Sequence, residues 1–210
     1  MRLMVTSTRG AVTEWFRRPE AWPLILNYLR TSPNVPHIYA GGVASGEEAY
    51  SLAMLLEYHR IPGRITATDI DPELIHYAKA GTYPRSTVHQ AAQAGMLSSH
   101  AITRFLRSRG DRCTVSESVR SRVTFSVADL RTEELPNADM FLLRNLWRHL
   151  GDDGAHHLAR QVAQALPTGG ILSIGGADVL TERNTMSGIS AVLGATSLRP
   201  VGIADIYHKT

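Results

Sequence analysis

Apolar residues in this chain gather in short runs, and each run is followed by a loop and then by a longer stretch with helical spacing. Ile38, Tyr39 and Ala40 suit a buried strand from about His37 to Gly41, and Tyr50, Leu52, Ala53, Leu55 and Leu56 then supply a helical apolar face. A second short strand runs from about Arg64 to Asp69, with a helix begun by Pro72 behind it. Strand and helix alternate again at Asp139 to Leu143, at a helix starting near Asp152 and at Ile171 to Gly175, and Gly202 to His208 reads as a final strand. This alternation predicts an α/β fold with a parallel sheet covered by helices on both faces. Ahead of it, Thr13 to Arg30 reads as helical with a bend at Pro19 and Pro23, so residues 1–36 form a lead-in or lid and residues 37–210 the main domain.

Between Gly81 and Val123 the alternation stops for longer than an ordinary connection allows, which predicts an inserted element over about residues 84–122. Within it His89 to Arg107 reads as helical, Cys113-Thr114-Val115 as a strand, and Arg107 to Arg112 as an arginine-rich connection. Val123-Thr124-Phe125 reads as a further strand.

The loop between the first strand and its helix carries candidate chemistry. Gly41, Gly42 and Gly46 let the backbone approach a ligand, while Glu47 and Glu48 open the helix. Neither a dinucleotide fingerprint nor a phosphate-binding loop has this spacing. Acidic residues at a helix start are favoured by its dipole but repel a pyrophosphate, so a ligand bearing an ammonium or sulfonium charge fits better. Asp69 ends the second strand, where a carboxylate can accept both hydroxyls of a ribose. Asp71, beside Pro72, is the better helix cap and leaves Asp69 for the ligand.

Composition narrows the classes without naming a function. The chain has 210 residues, 43% of them apolar, enough for one domain with one good core. No apolar run approaches the roughly 20 residues of a membrane span, and the amino terminus shows no signal-peptide pattern, so a cytoplasmic protein is expected. Cys113 is the single cysteine, which excludes an internal disulfide and a cysteine metal cluster. The net charge of +3 has a local source in Arg104, Arg107, Arg109, Arg112, Arg120 and Arg122, which face only Asp111 and Glu117. With Phe105 the lone aromatic among them, this stretch favours a solvated face or an acidic protein partner over nucleic acid.

The motifs together resemble the CheR family, the S-adenosylmethionine-dependent methyltransferases that esterify glutamates of bacterial chemotaxis receptors. Ala44-Ser45-Gly46-Glu47-Glu48-Ala49-Tyr50-Ser51 matches the family's Ser-Thr-Gly-Glu-Glu-Pro-Tyr-Ser run, and Asp69-Ile70-Asp71 with Ala78, Gly81 and Tyr83 matches its Asp-Ile-Asp followed by Ala-x-x-Gly-x-Tyr. Thr13-Glu14-Trp15-Phe16-Arg17 matches the Thr-x-Phe-Phe-Arg lead-in, Leu143-Arg144-Asn145-Leu146 the Cys-Arg-Asn-Val strand end, and Leu166-Pro167-Thr168-Gly169-Gly170 the turn before the fifth strand. The matches keep their order from about residue 13 to residue 180. The resemblance implies a class I methyltransferase, Rossmann-like doubly wound sheet with an antiparallel last strand and a small inserted subdomain. The family's amino-terminal helical domain has no counterpart before Arg17.

The resemblance also implies roles. The cofactor would be S-adenosylmethionine, held by Gly41, Gly42, Ser45, Glu48, Asp69, Ile70, Asp129, Leu130, Asn145 and Leu146. Glu48 would take the α-ammonium and Asp129 an adenine amino group, while Arg17 would orient the cofactor carboxylate or the acceptor carboxylate. His149 stands where the family has a tyrosine lining the methyl-transfer site, and Gly175-Gly176-Ala177-Asp178 stands for Gly-His-Ser-Glu. The acceptor half has thus drifted while the cofactor half is intact. A protein glutamate is the expected acceptor. A small-molecule methyltransferase using His149 as general base, and a non-catalytic S-adenosylmethionine-binding module, remain the alternatives.

Overall fold

The computed structural model of the protein describes residues 13–176, 178 and 189–210, without the side chains of residues 203 and 204. Its centre is β1 (His37–Gly41), which pairs in parallel with β2 (Arg64–Asp69) on one side and with β7 (Met140–Leu143) on the other. Beyond β2 lies β6 (Val123–Val127), and beyond β7 lie β8 (Ile171–Ile174), β10 (Ile203–Lys209) and β9 (Leu198–Val201), in the order β6-β2-β1-β7-β8-β10-β9. All pairs are parallel except those of β10, which runs antiparallel to both β8 and β9. The doubly wound sheet with an antiparallel last strand is therefore present, and β10 sits inside the sheet rather than at its rim. The rim strand β9 was not expected. It carries Pro200, whose missing N–H an edge strand tolerates.

Alternation along the strands divides the interior in two. Ile38, Ala40, Met140 and Leu142 point to a core shared with α1 (Trp22–Thr31) and α2 (Glu47–His59). Tyr39, Phe141 and Leu143 point to the other face, against α7 (Gly151–Ala165) and α8 (Ile189–Gly194). Both faces are covered, so the strands read as continuous apolar runs. Because β1, β2, β6, β7 and β8 are parallel, their carboxyl ends share one edge, and the loops after β1 and β7 diverge there to opposite faces.

The insertion differs from the expectation. A three-stranded antiparallel sheet, β3 (Thr82–Pro84), β5 (Arg112–Val115) and β4 (Leu106–Arg109), is built in the order β3-β5-β4, so the element begins at Thr82. Arg107 to Arg112 is a hairpin, not a connection: Arg109 pairs with Arg112 across a turn where Gly110 has φ +61°. The single helix expected from His89 to Arg107 is two, α4 (Ser86–Gln93) and α5 (Ser99–Phe105). Gly95, at φ +70°, lies between them, and Ser98 caps α5 by accepting the Ala101 N–H. Between α5 and β6 stands the short α6 (Glu117–Arg120), and α3 (Pro72–Ala80) follows β2.

The lead-in is also revised. Residues 13–18 are not helical, Phe16 and Arg18 take positive φ, and one 3-10 turn (Pro19–Ala21) precedes α1. Pro23 causes no bend, because it occupies the first turn of α1, where its N–H would have no partner. Trp15, Phe16 and Trp22 are buried in the core. Trp15 meets Tyr83 edge-on at 5.2 Å, and the Phe16 N–H donates to Ser51 Oγ at 2.9 Å.

Candidate functional site at the carboxyl edge of the sheet

The turn after β1 is shaped by its neighbours before any ligand is considered. A Cβ on Gly41 would lie 2.8 Å from the side chains of both Leu130 and Leu143, so glycine is needed there for packing. Gly42 is exposed at φ +68°, with Leu146 beneath it, and offers bare backbone to a ligand. Asp69 holds the turn in place: Oδ2 accepts from the Ala44 N–H at 2.8 Å and Oδ1 from the Asp71 N–H at 3.0 Å. Each oxygen keeps a second lone pair, so the carboxylate can still accept hydroxyls. Asp71 caps α3 through the Glu73 and Leu74 N–H groups, the division of labour the sequence suggests. Ile70 and Val127 are both exposed beside Asp69, Val127 by strand register. Val127 was not anticipated.

The two glutamates that open α2 face different surroundings. Glu47 accepts from Ser45 Oγ at 2.6 Å, and burial pushes its carboxyl up to about 7. The Ser45 carbonyl accepts from Tyr83 Oη at 2.7 Å, which ties the turn to the inserted sheet. Glu48 is met by Arg144, whose fully buried guanidinium donates from Nη1 to Glu48 Oε1 at 2.6 Å and from Nη2 to the Arg17 carbonyl at 3.0 Å. The same guanidinium lies 5.6 Å from the Trp22 ring centre. Burial pushes the Glu48 carboxyl up, against the opposing charges of Arg144 and Arg17. Arg17 itself is part-exposed, with Nε 4.0 Å from Glu14 Oε2.

At the end of β7, Asn145 adopts φ +59°. Its N–H donates to Asp178 Oδ2 at 2.5 Å, which also accepts the Gly175 N–H at 3.0 Å. Burial raises the Asp178 carboxyl, and backbone N–H groups from Gly175, Asn145, Arg148 and Trp147 oppose that rise. Asp178 thus gathers the ends of β7 and β8; Ala177 beside it lies outside the described residues.

The structure brings Gly41, Gly42, Ser45, Glu48, Asp69, Ile70, Leu130, Asn145 and Leu146 to one edge, and the lead-in is tied to it by the hydrogen bond from Arg144 to the Arg17 carbonyl. Two further expected residues, Asp129 next to the Ala128 N–H that donates to the Asp69 carbonyl and His149 next to Leu146 in the loop after β7, have side chains engaged by a neighbouring arginine. Both Asp129 oxygens accept from Arg131, at 2.9 and 2.7 Å, and this pairing holds the carboxyl below its usual range, so an adenine amino group would have to share them. His149 is exposed on a 3-10 turn (Trp147–His149), and its Nε2 accepts from Arg148 Nε at 3.1 Å. That bond occupies the lone pair a general base needs at Nε2. Arg144 and Asp178 lie within the quoted motifs but were assigned no role. The available signal for Arg144 was an arginine directly after an apolar strand.

The site can seat a cation-bearing nucleoside. Asp69 has hydroxyl-accepting capacity, Ile70 and Val127 are exposed apolar side chains beside it, and Glu48 is a carboxylate at the same edge whose pairing with Arg144 leaves Oε2 to a ligand. That donor set fits a ligand carrying a sulfonium and an ammonium.

Comparison with known proteins agrees with this chemistry. Residues 11–192 match the family described as CheR methyltransferase, SAM binding domain. The chain is similar to a chemotaxis protein methyltransferase of Listeria monocytogenes, with 28% identity over 80% of this chain and 64% of that protein. It is also similar to one of Vibrio anguillarum, with 30% identity over 80% of this chain and 65% of that protein. The chain therefore spans a little under two thirds of these relatives. The solved N-methyltransferase NodS from Bradyrhizobium japonicum superposes with a TM-score of 0.52 at 16% identity, covering 92% of this chain and 98% of that one, a likeness of fold alone.

Proposed function

Since the chain belongs to the CheR methyltransferase family through its SAM-binding domain, we propose that it is an S-adenosylmethionine-dependent carboxyl O-methyltransferase that esterifies a protein glutamate side chain. The observation that carries this reading is the buried Glu48–Arg144 pair beneath the Gly41–Ser45 turn. In this reading Glu48 is the carboxylate that meets the cationic cofactor, and Arg144, which pairs with it, also holds the Arg17 carbonyl.

When bound, the cofactor supplies an electrophilic methyl group on a cationic sulfur, and its transfer to a carboxylate neutralises both charges without releasing a proton. The chain's own task is then to bind, to exclude water and to align. Asp69 and the exposed backbone of Gly42 would hold the nucleoside, Ile70 would cover its ring, and Glu48 would take the ammonium. Asn145 and Leu146 would bound the methionine end. Trp15, Phe16 and Trp22 are buried in the core and so anchor the lead-in that carries Arg17. Arg17 would orient the acceptor carboxylate through its planar fork. A glutamate acceptor is already ionised near neutral pH, so this reading needs no base and asks nothing of the exposed His149.

Calorimetry with S-adenosylhomocysteine tests the cofactor assignments, with Asp69→Ala and Glu48→Ala expected to weaken binding strongly. Tritiated methyl transfer into cell lysate, followed by alkaline release of methanol, tests the ester. No binding by the wild-type chain would remove the cofactor reading, and label resistant to alkali would replace the carboxylate acceptor with an amine or a hydroxyl.

A further inference from the structure

A cleft opens at the opposite edge of the sheet. Helix α2 starts at the cofactor edge and ends at His59, immediately before β2 begins at Arg64, so its carboxyl end lies at the amino edge of the strands. Thirteen residues of helix separate the two ends by roughly 20 Å. There the cleft, of about 660 Å³, lies between the end of α2, helix α5 and the residue that precedes β6. Its volume is in the range, about 300–1,000 Å³, of pockets that take defined ligands.

The charge in this cleft is lopsided. Arg60, Arg104 and Arg122 line it, together with His100, and face one carboxylate, Glu57. Arg122 is committed: its Nε and Nη2 donate to Glu57 Oε2 at 2.9 and 2.7 Å, and its Nη1 donates to the Ile61 carbonyl. Arg60 and Arg104 are exposed, and neither makes an ion pair among the described residues. Arg104 is laid over the buried Phe105 ring at 5.7 Å, which restrains its guanidinium without neutralising it. Arg60 is held at φ +55° as the cap of α2.

We infer that this cleft docks an acidic peptide segment of a protein partner, with Arg60 and Arg104 gripping its carboxylates as Arg122 grips Glu57. The internal pair displays the contact that the cleft makes with a carboxylate. A single-stranded nucleic acid is a poorer fit, because stacking successive bases needs several open aromatic faces, and of the two tyrosine and phenylalanine rings lining the cleft only Tyr58 is exposed while Phe105 is buried against Arg104. The site does not depend on methyl transfer and lies away from the residues proposed for it.

The test uses a fluorescein-labelled octaglutamate peptide and the full chain, read by fluorescence anisotropy at low salt and at about 0.15 M salt. Binding is expected in the wild type, weakening with salt. The pair Arg60→Glu and Arg104→Glu should lose on the order of a hundredfold in affinity, about tenfold for each charge-assisted contact. The pair Arg107→Glu and Arg109→Glu, on the exposed hairpin, should bind as the wild type does. All of these residues are exposed, and matching circular dichroism melts establish that the variants fold. Absence of peptide binding to the wild type would overturn the inference. So would equal losses in both pairs, which would mean a diffuse basic field, or tighter binding of an oligothymidylate of equal charge.

Discussion

Replacing Arg144 by methionine should destabilise the fold by about 3–5 kcal/mol, because it leaves a buried charge without its partner. The magnitude follows from the surroundings. Arg144 has no exposed side-chain surface, Glu48 retains only 14%, and their atoms meet at 2.6 Å. At an effective dielectric near 20, unit charges about 4 Å apart attract by about 4 kcal/mol, so screening by water removes little of the effect. Methionine keeps the apolar stem over Trp22 and deletes the charge, together with the bond to the Arg17 carbonyl. Domains of this kind are stable by about 5–15 kcal/mol, so the variant should fold but unfold at clearly lower urea. The second variant, Glu48→Gln with Arg144→Met, removes the orphaned charge and should recover a large part of the loss. It should still bind S-adenosylhomocysteine about tenfold or more weakly than the wild type, for want of the carboxylate. Urea unfolding followed by circular dichroism, with calorimetry beside it, separates these terms. If Arg144→Met costs less than about 1 kcal/mol, or the double variant is no more stable than the single one, the argument from a desolvated pair fails.

Glu47 titrates near 7 in the folded chain, above its unfolded value, so the folded state binds the extra proton and stability falls as pH rises from the unfolded carboxylate range through about 7. Glu47→Gln should remove up to about 3 kcal/mol of that fall, less to the extent that water reaches the carboxyl, and parallel pH profiles of wild type and variant would refute it. Gly175→Ala places a Cβ 2.5 Å from the Asn145 backbone nitrogen and on its side-chain amide, which should cost about 1–3 kcal/mol and weaken cofactor binding; unchanged unfolding and binding would show that the Asn145 turn can yield. Arg17→Lys keeps the backbone carbonyl that Arg144 needs and loses the planar fork, so methyl transfer should fall by roughly tenfold to a thousandfold with a smaller change in cofactor affinity. Equal losses in rate and affinity would instead place Arg17 on the cofactor.

The parts that were legible in the chain are those governed by neighbours in sequence. The boundaries of β1 and β2 follow from apolar runs flanked by loop residues, the cap at Asp71 from its own position before Pro72, and the site's edge from the fact that parallel strands end together. The inserted element was harder to read. Its helices are punctuated by Gly95 and Ser98, and its strands β4 and β5 are short, arginine-rich and exposed on one side, so they lack the apolar runs that mark the central sheet.

What tertiary structure alone decided lies between residues far apart in the chain. Arg144 meets Glu48 across 96 positions and the Arg17 carbonyl across 127, and Asp178 reaches the Asn145 N–H across 33. By itself the sequence determined the strand and helix alternation, the glycine turn and the carboxylates of the cofactor edge, because periodicity and capping act over a few residues. Which of those carboxylates is neutralised, buried or left to a ligand was decided only when the sheet set the loops after β1, β7 and β8 side by side, since charge pairing and desolvation depend on distance in space.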